Sequence, residues 1–83
     1  MKKDQEAIND YNKSISIIPS SEAYNNRGSI YGTLGKLREA IDDFSKSIEI
    51  KKDINTFVNR GNAYYMQKNF QKAIADYDTA IQQ

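Results

Sequence analysis

The chain has 83 residues, enough for one small domain, with 12 Lys and Arg against 11 Asp and Glu and a net charge of +1. That balance shows none of the basic stripe of a nucleic-acid binder and no attraction to an anionic membrane, so neither partner is expected. With no Cys and no His, disulfides, the common zinc and copper ligand sets and nucleophile–His pairs are all absent, and no cofactor is expected.

Five segments carry helical spacing. Over 4–17, Ala7, Ile8, Tyr11, Ile15 and Ile18 fall at steps of one, three and four. Pro19 stops that helix, and Ser20 or Ser21 can cap the next. Residues 21–34 follow with Ala23, Tyr24, Gly28, Tyr31 and Leu34, and Gly35 suits a helix stop. The third segment, 37–51, carries Leu37, Ala40, Ile41, Phe44, Ile48 and Ile50, and Lys51 and Lys52 suit the negative end of its dipole. Asp53 can cap 54–67, with Ile54, Phe57, Val58, Gly61, Tyr64 and Tyr65. After a tight turn at Lys68-Asn69, 70–82 closes with Phe70, Ala73, Ile74, Tyr77, Ala80 and Ile81. No segment alternates with period two, so no sheet is expected.

The segments repeat with a period of 33 residues. Ala7-Ile8 returns as Ala40-Ile41 and Ala73-Ile74. Asp10, Asp43 and Asp76 keep the step, as do Tyr11, Phe44 and Tyr77, and Ile15, Ile48 and Ile81. A second register agrees, because Asn26-Arg27-Gly28 with Tyr31 returns as Asn59-Arg60-Gly61 with Tyr64. Such a period denotes stacked units that each touch their neighbours, and stacks of this kind serve mainly as binding scaffolds. A mid-helix glycine costs about 1 kcal/mol relative to alanine. Taking that cost at both Gly28 and Gly61 predicts close approach of a neighbouring helix there. Ala7, Ala40 and Ala73 are small for the same reason, and Tyr31 and Tyr64 fill the space beside the contact.

This arrangement resembles the tetratricopeptide repeat. One unit reads Tyr24, Gly28, Tyr31, Leu37, Ala40, Phe44 and Ser47; the next reads Phe57, Gly61, Tyr64, Phe70, Ala73, Tyr77 and Ala80. The opening helix, with Asp4, Ala7, Tyr11, Ser14 and Pro19, matches a second helix without its first. Two departures stand out: the family period is usually 34, and Lys52 stands where a proline is expected. The resemblance implies an all-α, right-handed α-solenoid of antiparallel helix pairs, about five helices or two and a half repeats. Its expected divisions are residues 1–20 as a partial repeat, 21–53 and 54–83 as full repeats.

The resemblance further implies a non-catalytic scaffold that binds a peptide or helix of a protein partner in a concave groove lined by the first helices. The groove residues it implies are Glu22, Asn25, Asn26, Ser29, Thr33, Asn55, Val58, Asn59, Asn62, Tyr65 and Met66. Asn26 and Asn59 resemble the asparagine ladder with which some members grip a peptide backbone; a carboxamide both donates and accepts, so it matches an amide bond. The places that clamp a C-terminal carboxylate in other members hold Asn25, Ser29, Asn59 and Asn62 here, with no Lys or Arg, so no such clamp is expected.

Arg27 is expected to pair with Asp10 or Asp43, and Arg60 with Asp43 or Asp76, as guanidinium favours planar carboxylate partners in partly buried places. Asp42-Asp43 does not read as a catalytic pair, because adjacent helix residues do not face each other. Gly32-Thr33-Leu34-Gly35-Lys36 lacks the spacing and preceding strand of a phosphate loop. Met1-Lys2-Lys3-Asp4 turns polar at once, unlike a signal peptide, and no apolar run nears the ~20 residues of a membrane span. Natural arrays end in polar capping helices, so apolar faces at both ends read as a piece of a longer array. They also raise an alternative, self-association through the terminal helices into dimers or filaments.

Overall fold

The computed structural model describes residues 2–82 and contains five helices: α1 (Lys2–Ile17), α2 (Ser21–Thr33), α3 (Leu37–Ile50), α4 (Ile54–Met66) and α5 (Phe70–Gln82). No strand occurs among the described residues. Met1 and Gln83, the outer limits of the first and last predicted units, lie outside them.

The helix ends have local causes. Pro19 follows the end of α1, and the Ser20 side chain accepts from the Ala23 amide at 3.1 Å to start α2. Asp53 does the same for α4, accepting from the Asn55 amide at 2.8 Å. The turn after α2 passes through Gly35, whose φ of 79° is left-handed, and the turn after α4 through Lys68, whose φ of 66° is the same conformation without glycine's freedom. α3 runs to Ile50, and Lys51 already has extended backbone at its C-cap.

The stack is a thin slab of 33 × 25 × 14 Å. α2 packs on α3, α4 on α5, and α3 on α4, while α1 lies against α2 alone. α2 also touches α4. α2 has no clear apolar stripe, whereas α3 has a strong one. Ala40, Phe44 and Ala63 form a buried cluster, with Tyr31, Leu37 and Ile41 packed around it. These six residues come from α2, α3 and α4, so the first pair and the next share one core.

The close approach of a neighbouring helix expected at Gly28 and Gly61 is made by side chains of the helix that follows. A methyl placed on Gly28 would stand 2.8 Å from Cε1 of Phe44 and 3.1 Å from Cβ of Asp43. One placed on Gly61 would stand 2.7 Å from Cε1 of Tyr77 and 3.3 Å from Cβ of Asp76. Each glycine therefore makes a bay for the aromatic ring of the following helix. The small residues Ala40 and Ala73 are buried beside these contacts, and Ala7 only half so. Leu37 joins the core, but Phe70 is half-exposed and meets Tyr65 edge-on across the turn, with ring centres 5.4 Å apart.

Candidate functional site

Each arginine is held by three helices. Arg27 on α2 donates through Nε and Nη2 to both carboxylate oxygens of Asp43 on α3, at 2.8 and 2.7 Å, and through Nη1 to Oδ1 of Asn12 on α1 at 2.8 Å. Arg60 on α4 repeats this with Asp76 on α5, at 2.8 Å for both bonds, and reaches back to Oγ of Ser45 on α3 at 3.2 Å. Asp43 and Asp76 are both buried. Tyr24 and Tyr31 flank the Arg27 guanidinium, and Phe57 and Tyr64 flank that of Arg60, with ring centres 5.6 to 5.9 Å away. The bonds to the aspartates raise both guanidinium pKa values above their ordinary value, outweighing the opposing effect of burial.

The pairing thus runs within a helix pair. Asp10 is exposed, and Arg27 takes Asn12 from α1 instead. Asp10 stands at the phase of Asp43, whose arginine comes from the helix that precedes it, so α2 cannot supply its partner. Arg60 likewise leaves Asp43 to Arg27. Both arginines are structural clamps, leaving them little freedom to hold an acidic ligand.

The predicted groove residues divide among three open depressions. Ser29 and Thr33 of α2 meet Asn59, Asn62 and Met66 of α4 around the largest, about 420 Å³, whose floor is Gly32, Leu37, Phe44 and Ala63. Glu22 and Asn26 line a second, between α1 and α2, with Tyr11 and Ser14. Glu22 and Asn25 border a third, at the start of α4, with Lys51 and Asp53. Asn55 and Tyr65 are exposed and line none of these, and Val58 is half-buried outside them.

Asn26 and Asn59 therefore do not converge. Each faces back toward the preceding helix pair, and for Asn26 only α1 lies on that side. Asn59 instead donates to Oδ1 of Asn25 at 3.1 Å, joining α4 to α2. The Asn62 oxygen accepts from the Tyr77 hydroxyl, which leaves its amide nitrogen for other use. The floor residues carry no mark in the sequence of facing a ligand, since their apolar character serves the core equally well. The internal register does mark one of them: Gly32 stands where the next unit has Tyr65, and a methyl on it would come no nearer than 4.0 Å to Ala40. Unlike Gly28 and Gly61, it is not required by packing.

The tetratricopeptide repeat family model matches residues 21–53 and 54–83, three quarters of the chain. The chain belongs to the tetratricopeptide repeat family. Repeats of this family generally mediate protein–protein interaction and are generally non-catalytic. Among solved structures, the crystal structure of MamA matches with a TM-score of 0.93 at 26% identity, over 96% of this chain and 48% of that one. The chain thus spans about half the length of that structure. No curated protein sequence gives a match.

Proposed function

We propose that this tetratricopeptide stack binds a peptide or helical segment of a protein partner in the depression between α2 and α4. The observation that supports this reading is the composition of its wall. Carboxamides of Asn59 and Asn62, hydroxyls of Ser29 and Thr33 and the side chain of Met66 surround an apolar floor of Leu37, Phe44 and Ala63. None of the lining residues is charged. Such a wall suits an uncharged stretch: one apolar side chain in the floor, and backbone amides met by groups that donate and accept. A C-terminal carboxylate finds no cation there. On this reading residues 1–20 supply the second helix of an incomplete repeat, and 21–53 and 54–83 the two repeats that form the groove.

A peptide-display selection against the chain tests this. Selected peptides should carry an apolar anchor in an uncharged context and should lose binding to Gly32→Leu, which fills the floor, and to Asn59→Ala. Circular dichroism controls for folding. Peptides that bind the wild type and a folded Gly32→Leu equally well would place the site elsewhere.

A further inference from the structure

The turns inside the two full units are built alike, but the residues flanking them differ by one ring. In the second unit Tyr65, near the end of α4, meets Phe70, at the start of α5, edge-on, with ring centres 5.4 Å apart and planes at 65°. One period earlier the same two places hold Gly32 and Leu37. No side chain reaches from position 32 to Leu37. Both residues instead line the depression between α2 and α4, together with Phe44, Ala63 and Met66.

Gly32 has no packing reason to be glycine. Its backbone is helical, where glycine is less favourable than alanine. A methyl there would meet only Ala40, at 4.0 Å, an ordinary contact. At Gly28 and Gly61 the same methyl would strike a ring at 2.8 and 2.7 Å. Gly32 thus leaves open, in the first unit, the space that the Tyr65 side chain takes in the second.

We propose, on the reading that this groove binds a partner segment, that Gly32 determines its specificity by admitting an aromatic side chain of that segment, a phenylalanine or tyrosine. The incoming ring stands to Leu37 as Tyr65 stands to Phe70. The Met66 thioether, a soft partner for aromatic edges, borders it from α4. A lysine or arginine anchor is disfavoured, because none of the lining residues carries a charge to pair with it. A leucine anchor brings less apolar area than a ring for the same two side-chain torsions.

The test uses the full chain and a random displayed peptide library. The tightest selected peptide is made with a fluorophore, and anisotropy gives its affinity for the wild type, Gly32→Ala, Gly32→Val and Gly32→Tyr. Selected peptides should share one phenylalanine or tyrosine. Replacing that ring by leucine should weaken binding to the wild type about tenfold, and replacing it by alanine about a hundredfold. Gly32→Ala should narrow the preference for the ring, and Gly32→Val should reverse it in favour of leucine. Gly32→Tyr supplies the ring from within, so it should abolish binding of every version while circular dichroism shows the helices intact. An aliphatic anchor, or a ring preference that Gly32→Ala and Gly32→Val leave unchanged, overturns the role of Gly32; the groove itself survives that result if Gly32→Tyr still abolishes binding. Peptides that bind a folded Gly32→Tyr as well as the wild type, or a library that yields no binder, overturn the groove reading and the role of Gly32 together.

Discussion

Gly35 and Lys68 hold the same left-handed backbone at equivalent turns, with φ of 79° and 66°. At both, the next amide, of Lys36 or Asn69, donates 2.9 Å to the carbonyl of Tyr31 or Tyr64. The left-handed region costs a residue with a Cβ about 1–2 kcal/mol. Glycine's greater freedom in the unfolded chain returns part of that. Lys68→Gly is therefore expected to stabilise the fold by roughly 0.5–1 kcal/mol, and Gly35→Ala to destabilise it by about 1 kcal/mol. Urea denaturation of the pair checks both signs.

The mid-helix glycines should respond in opposite directions to the same change. Gly61→Ala drives a methyl toward the Tyr77 ring, and overpacking of about 1–3 kcal/mol outweighs the helix-propensity gain of about 1 kcal/mol. Its melting temperature should fall. Gly32→Ala meets no such obstacle and should melt higher. Two falling curves would mean that α2 needs Gly32 for a reason other than space.

Removing one partner of the buried ion pair should harm more than removing both. Arg60→Leu leaves the Asp76 carboxylate buried without its cation. For a fully buried pair such a loss costs roughly 3–5 kcal/mol; Arg60 is 20% exposed, so about 2–3 kcal/mol is expected. Arg60→Leu with Asp76→Leu should recover most of the loss, as apolar replacements of buried pairs are often neutral. Thermal melts of the two singles and the double complete the cycle.

Ser47 is fully buried, and its hydroxyl donates to the Ser21 carbonyl at 2.8 Å while lying 2.9 Å from the Ser21 hydroxyl. Ser47→Ala should cost roughly 1 kcal/mol. Ala80 already occupies the equivalent place in the next unit, so Ala80→Ser has no matching partner, with Ile54 standing where Ser21 does, and should give no gain. Denaturant midpoints of both variants settle this.

The helices were legible because their causes are local or periodic. Pro19, Ser20, Gly35 and Asp53 mark ends through chemistry that acts within a few residues, and the five predicted segments match the helices to within about two residues. The strained turn at Lys68 is not legible from the residue itself, because nothing in a lysine announces left-handed backbone; only its place, one period after Gly35, does. The arginine pairs were ambiguous for the reason that made the fold plain. A period supplies an aspartate in every unit, and choosing among Asp10, Asp43 and Asp76 takes the direction in which each helix faces. The same lack of direction leaves Asn25 and Asn26 equal candidates for the neighbour of Asn59. The structure brings Asn25, not Asn26, to Asn59.

Arg27 and Arg60 each tie their own helix to the helices before and after it, and both arginines touch α3, through Asp43 and Ser45. No single helix can be peeled from the middle of the stack without breaking a guanidinium contact on both of its sides. Pulled from its two ends, the chain from α2 to α5 should give way in one rupture instead of unzipping a helix at a time, with α1, moored to α2 alone, letting go first.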